Sequence, residues 1–157
     1  MNSVNYKSPN GYPDSMEDGF AAGFLSSFLR SQRLAVLATE WEGQPRASLI
    51  VYRIDDSLLN LHFLTPRASQ KYRSIRSNPR VSLLVDDRCQ HKHVQEMMSV
   101  TISGSCQECG LDEDEDQRMS LMEEVGEGSF PDQALMRVSV DNLTVVTALG
   151  DIRSYQP

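Results

Sequence analysis

Three side chains that suit a phosphate group lie within seven residues: Thr65, Ser69 and Lys71, in the segment HFLTPRASQKYRSIRSNPRVSLLV at 62–85. The residues before them favour a strand and those after them a short helix. The first N–H groups of a helix lack intrahelical acceptors, and its positive dipole end favours an anion. Ser69 and Lys71 lie about 200° apart on a helical wheel, so they share a ligand only beyond the helix end. The segment is a candidate phosphate site.

A surface helix is the alternative interpretation of the same residues. Thr65 would then be the N-cap and Pro66 would occupy the first helical position, with Ala68, Tyr72 and Ile75 facing the core. Short motifs of this kind often occur by chance, and spacing alone favours the surface helix.

Four segments of the chain, in order, resemble the FMN-binding split β-barrel family, that of the pyridoxamine 5′-phosphate oxidases. They are GQPRASLIVYR at 43–53, TPRASQK at 65–71, NPRVSLLV at 78–85 and VTISGS at 100–105. The similarity covers about residues 20–149. It implies a mainly β fold: an antiparallel, Greek-key-like split β-barrel with short flanking helices.

The resemblance also implies where the cofactor FMN lies. The strand from Ser48 to Arg53 would follow the flavin, the end of the next strand would lie beside it, and the following helix would hold the phosphate. The implied cofactor-binding residues are Ser48, Leu49, Ile50, Val51, Arg53, Leu64, Thr65, Ser69, Gln70 and Lys71.

The chain departs from the family pattern at both ends of this site. Family oxidases often have Arg-Lys in place of Gln70-Lys71 and a basic residue in place of Ser48. We therefore expect weaker phosphate binding here, or help from Arg67 or Arg53.

The C-terminal segment differs as well. True pyridoxamine phosphate oxidases end with a segment that bears Arg and His for the substrate phosphate and a Trp near the flavin. This chain ends in GDIRSYQP, has no His after His93, and carries its single Trp at Trp41. Pyridoxamine phosphate is therefore not the expected substrate.

The resemblance implies a homodimer with the flavin in the cleft between subunits. The strand 46–54 shows no one-sided apolar pattern, so both of its faces are expected to be covered. The favoured function is a small flavin-dependent oxidoreductase acting with a small-molecule substrate or electron donor. No catalytic residue is assigned, because the flavin supplies the redox chemistry. The alternatives are a noncatalytic flavin-binding or storage protein, a haem-binding or haem-degrading relative that uses His91 or His93, and a deazaflavin in place of FMN.

Length and charge limit the remaining possibilities. At 157 residues with a net charge of −7, the chain suits one domain and is not expected to bind nucleic acid. It has no apolar run of the about 20 residues that cross a bilayer, and its three cysteines fit a reducing compartment, so a cytoplasmic protein is expected. Residues 1–16 are interpreted as a flexible N-terminal tail and residues 17–157 as a single FMN-binding domain.

Periodicity predicts helices over 18–30, 67–77 and 113–124. It predicts strands over 34–40, 46–54, 59–64, 80–86 and 97–108. A last hairpin is predicted from the strands 134–140 and 143–149, which would turn at Asp141-Asn142. About seven strands with peripheral helices suit a small barrel.

Five side chains form a possible zinc-binding set: Cys89, His91, His93, Cys106 and Cys109. Their spacing matches no established zinc ribbon, and residues 87–95 read as a polar loop. The acidic run at 112–116 lacks the EF-hand pattern and suits the first turn of a helix. No metal is expected at either place.

Overall fold

The computed structural model of the chain describes residues 18–126, 132–147 and 152–157. The predicted tail, residues 1–16, lies outside the described residues. Three helices are present: α1 (Asp18–Ser31), α2 (Gln70–Ser77) and α3 (Glu115–Val125). The strands are β1 (Leu34–Trp41), β2 (Gln44–Val51), β3 (Arg53–Ile54), β4 (Asn60–Pro66), β5 (Arg80–Asp86), β6 (Met98–Glu108), β7 (Gln133–Thr147) and β8 (Ile152–Tyr155). None of the described helices is long and apolar enough to cross a membrane.

All strand pairs are antiparallel, and the sheet runs in the order β2-β1-β5-β6-β7-β4-β3, with β8 paired to β7. Only Tyr52 separates β2 from β3. The two ends of the sheet are therefore halves of one bent strand, and the sheet curls back on itself. The predicted mainly β, split-barrel fold with peripheral helices is confirmed.

The barrel interior follows from strand alternation, which places every second side chain on one face. In β6, Met98, Val100 and Ile102 are buried while the residues between them are less so. Leu25 and Leu29 of α1 are fully buried and join the same core. Burying several such side chains contributes about 1.5–3 kcal/mol each, which fixes α1 against the barrel.

The predicted hairpin at Asp141-Asn142 is wrong. β7 continues through these residues and pairs with β6 on both sides of them, with a register shift at Ser103/Gly104. Val140 pairs with Gly104 and Asn142 with Ser103, so Asp141 is the extra residue of a β-bulge. Turn-forming residues thus mark a bulge, and the actual hairpin is formed by β7 and β8.

Gly104 at this bulge permits a close approach of β6 and β7. A Cβ atom there would overlap the carbonyl oxygen of Ser139 and lie 2.9 Å from Cγ1 of Val138. Because the obstructing carbonyl belongs to the backbone, a larger residue would force the two strands apart.

Candidate functional site

The junction between β4 and α2 holds the candidate phosphate site. Ser69, in an extended conformation with φ −74° and ψ 154°, is the N-cap of α2, and its Oγ accepts a hydrogen bond from the Tyr72 amide at 3.2 Å. The alternative with Thr65 as N-cap and Pro66 at the first helical position is wrong. Pro66 ends β4, and the helix begins at Gln70.

Two backbone N–H groups at the start of α2 are available to a ligand. The first backbone hydrogen bond of α2 runs from Arg73 N to Ser69 O, and Ser69 Oγ satisfies the Tyr72 amide. The amides of Gln70 and Lys71 come before the first intrahelical bond and have no acceptor within the helix. They are the donors that a helix N-terminus offers to an anion.

Lys71 places a positive charge at this end of α2. Its side chain is partly buried, and this burial lowers the pKa of its ammonium below the usual 10.5. The Lys71 ammonium forms no hydrogen bond or ion pair with any other residue in the described part of the chain. A desolvated cation without a counter-ion is stabilised by a bound anion.

Arg67 is not available in the same way. Its guanidinium pairs with Glu108 on β6, with Nε 3.0 Å and Nη2 2.5 Å from Oε1, and with Asp132, 2.5 Å from Nη1. These hydrogen bonds and charges raise the pKa of Arg67. Tyr72 donates to the other oxygen of Glu108 at 2.6 Å. Arg67 therefore ties the turn before α2 to the barrel.

The implied flavin strand, β2, has two different faces. Ile50 is buried and pairs with buried Ala35, so it points into the barrel, whereas Leu49 is 64% exposed. Ser48 is half-buried beside Leu37. Leu49 is thus on the outer surface, where a ligand or a second subunit can contact it.

The far end of the implied flavin site is covered by α3. Val51 and Leu64 pack against Leu121 of α3 in a small apolar cluster that also contains Leu135 and Cys109. Arg53 forms an ion pair with Glu124 of α3, and its Nε donates to Ser120 Oγ at 3.4 Å. Sequence patterns predicted this helix but not the surface on which it lies.

A second polar cluster anchors the residues that lead into α3. His62 on β4 is 3% exposed, and its Nε2 lies 2.8 Å from Oδ2 of Asp114. Arg137, the cross-strand neighbour of His62, donates to the same oxygen at 3.2 Å. Burial acts to raise the pKa of Asp114, but hydrogen bonding and charge from His62 and the charge of Arg137 outweigh it and lower the pKa.

The five residues of the possible zinc-binding set are not brought together. Cys106 lies in the barrel core, Cys89 is exposed, and His91 bonds Asp87 with 3.0 Å between Nε2 and Oδ2. Cys109 instead lies near His62 and Asp114, with the three potential ligand atoms within 4.8 Å of one another. The Asp114 carboxylate already faces two nitrogen groups, so this cluster is explained as a hydrogen-bonded contact between α3 and the barrel.

The barrel and its β4–α2 junction agree with a known family. Residues 23–147 match the family described as pyridoxamine 5′-phosphate oxidase. The chain belongs to this family. No curated protein matches the chain.

Solved structures share the fold at low sequence identity. A heme-binding protein from Mycobacterium smegmatis has a TM-score of 0.74 and 19% identity, with 87% of this chain and 57% of that protein covered. An FAD-binding protein from Mesorhizobium loti has a TM-score of 0.65 and 21% identity, covering 85% and 93%. Campylobacter jejuni ChuZ has a TM-score of 0.74 and 14% identity, covering 90% and 61%. The chain thus spans little more than half of the mycobacterial protein.

The residues at the β4–α2 junction fit a flavin phosphate. They offer a hydroxyl, two backbone amides and the partly buried Lys71 ammonium, in a protein whose net charge is −7. Gln70 lies at the first helical position, and its side chain accepts from Arg73 at 3.1 Å. The ion pair at Arg53 and the cluster around His62 carry no sequence signal, because both depend on where α3 packs.

Proposed function

We propose that the protein binds FMN, with the flavin phosphate at the N-terminus of α2, and acts as a small flavin-dependent oxidoreductase. The observation that carries this proposal is Lys71, a partly buried ammonium with no partner in the described residues, two positions after the N-cap. Family membership and the FAD-binding relative support the same class of ligand.

The residues of the chain bind and orient the cofactor. Ser69 and the amides of Gln70 and Lys71 would donate to the phosphate, while Thr65 holds Ser69 in place from the barrel interior. Leu49 would provide an apolar surface along the ring. FMN supplies hydride or electron transfer when bound, so the proposal requires no acid–base pair from the protein.

A subunit interface is part of the proposal. Leu49 of β2, Val36 of β1 and Leu84 of β5 form a cross-strand row, and Leu49 and Leu84 are exposed. Leu34 beside them is exposed as well. A contiguous apolar face of this kind usually marks an interaction site. We infer a homodimer through this face, with the flavin in the cleft between subunits.

Haem is the second candidate ligand. The heme-binding relative favours it, and His93 is exposed, with an imidazole that has no partner among the described residues. His91 is a poorer candidate for iron because both of its ring nitrogens face carboxylates, Asp87 and Glu96. Mass spectrometry of the chromophore that copurifies with the protein would distinguish FMN, a deazaflavin and haem.

The proposal is tested by FMN titration of Lys71→Ala against Lys92→Ala. Lys92 is an exposed lysine in the loop before β6, so its loss changes the net charge equally. A hydrogen bond to a charged group contributes about 1.5–3 kcal/mol, so Lys71→Ala should raise the dissociation constant about tenfold or more. Lys92→Ala should bind like the wild type. Equal affinities for both variants would reject the phosphate assignment.

Turnover separates an enzyme from a flavin-storage protein. An oxidoreductase should oxidise reduced nicotinamide or another electron donor with FMN bound. A protein that binds FMN stoichiometrically but leaves every donor of a broad panel unoxidised would be a noncatalytic flavin carrier.

A further inference from the structure

A cavity of about 750 Å³ opens between the end of α1, β3 and α3. It is strongly charged, and its charged lining residues are Arg30, Arg33, Arg53, Asp116, Glu123 and Glu124. Because Arg53 also belongs to the implied flavin site, the cavity adjoins that site. A cavity of this size accommodates a small organic molecule.

Glu124 lies between two arginines of the cavity wall. Its side chain is 6% exposed, and Oε1 lies 2.5 Å from Nε of Arg33. Oε2 forms an ion pair with Nη2 of Arg53 but makes no directional hydrogen bond. Paired guanidinium groups around one anionic group are how proteins bind phosphate and carboxylate ligands. Here a carboxylate of the chain itself occupies that position.

The position of Glu124 in its helix supports this interpretation. Glu124 lies in the last turn of α3, where a negative charge is disfavoured by the helix dipole. Local helix stability therefore does not account for an acidic residue there. Its two arginine partners come from other elements, β3 and the segment after α1.

The other charges on the wall do not attract anions. Arg30 pairs with Asp56, so its charge is compensated. Asp116 and Glu123 have no cationic partner in the described part of the chain. The three arginines and three acidic residues of the wall carry no net charge, and Glu124 engages both of the arginines that are not paired with Asp56.

We propose that Glu124 is a specificity-determining residue that fills an anion site in this cavity. The cavity therefore admits uncharged or cationic polar molecules and excludes phosphate esters and carboxylates. If the protein is the proposed oxidoreductase, the molecule admitted to this cavity would be its substrate, and that assignment rests on the proposed function. The effect of Glu124 on anion binding does not rest on it.

The test measures binding of pyridoxamine 5′-phosphate and of pyridoxamine, which differ only in the phosphate, by calorimetry. All variants carry Lys71→Ala, so that the candidate flavin phosphate site does not contribute. Glu124→Gln is compared with Glu123→Gln, the adjacent acidic residue on the same cavity wall. The two substitutions change the net charge equally, but only Glu124 holds arginines.

Glu124→Gln should bind pyridoxamine 5′-phosphate at least about tenfold more tightly than the Lys71→Ala parent and gain nothing for pyridoxamine. Glu123→Gln should behave like the parent. A folded Glu124→Gln protein without this gain, accompanied by the same result for Glu124→Ala, would overturn the proposal. The proposal would also be overturned if the Lys71→Ala parent already bound pyridoxamine 5′-phosphate as tightly as the Glu124→Gln variant. Failure of FMN to bind the wild type would reject only the proposed function.

Discussion

Thr65 Oγ1 lies 3.0 Å from Ser69 Oγ, which joins the interior of the barrel to the N-cap of α2. Thr65 is fully buried, and Ser69 accepts from the Tyr72 amide. The hydroxyl that caps the helix is therefore positioned by the barrel core. The N-terminus of α2, where the proposed phosphate would bind, gains rigidity from a residue that itself need not touch the ligand.

Thr65→Val should lower both stability and FMN affinity, because it removes this hydrogen bond with little change in shape. The loss should be about 1 kcal/mol, or a decrease of about 2–4 °C in Tm. Thr39→Val is the matched control, since Thr39 is also buried but its Oγ1 has no hydrogen-bond partner. Thermal unfolding of Thr39→Val should show no loss, and an equal loss in both variants would contradict this role of Thr65.

The affinity for FMN should begin to fall at a lower pH than the pKa of an ordinary lysine would predict. Burial lowers the pKa of Lys71 in the free protein, and a bound phosphate would raise it again. Affinity is therefore full below the lowered pKa and declines as the pH rises through it. FMN titrations between pH 7 and about 10 should show this decline in the wild type but not in Lys71→Met. Riboflavin, which lacks the phosphate, provides the control for titration of the ring.

Asp114→Asn should destabilise the protein at neutral pH. The lowered pKa of Asp114 means that its carboxylate stabilises the fold above the unfolded value of 3.8, and that this contribution is lost as the pH falls through the folded pKa. Because Asp114 is partly exposed, we expect a loss of about 1 kcal/mol at pH 7. In denaturant titrations, the difference from wild type should begin to shrink below about pH 3.8 and vanish only below the lower pKa of the folded protein. Exposed Asp112→Asn is the control, and a deficit that persists in acid would refute this linkage.

The fold was largely predictable because it follows from local patterns. The alternation of apolar and polar residues predicted the bounds of most strands to within two residues, and the bounds of α1 were predicted to within one. The bulge at Asp141 was not predictable, because turn-type residues suit a bulge as well as a turn. Only the partner strand β6, with Gly104 opposite, shows which one forms.

The candidate site likewise has parts that follow from local sequence and parts that depend on distant residues. Ser69 and Lys71 were predicted from the sequence to lie at a helix N-terminus, because neighbouring residues come together there. The ion pairs of Glu124 were not predicted, since Arg33 and Arg53 lie in distant parts of the chain. Arg67 was an expected helper at the phosphate, but Glu108 and Asp132 hold it in ion pairs. Periodicity carries no information about such long-range partners.

Leu49→Asp should convert the proposed dimer into a monomer and weaken FMN binding. Leu49 is 64% exposed in the middle of the apolar row with Val36 and Leu84, so a dimer through this face would bury the new charge. Leu111→Asp is the matched control, because Leu111 is 84% exposed in the loop before α3. Sedimentation at micromolar concentration should show dimers for the wild type and for Leu111→Asp. A wild-type monomer that binds FMN stoichiometrically without a change in mass would show that one chain forms the whole site, and the two-subunit cleft would be rejected.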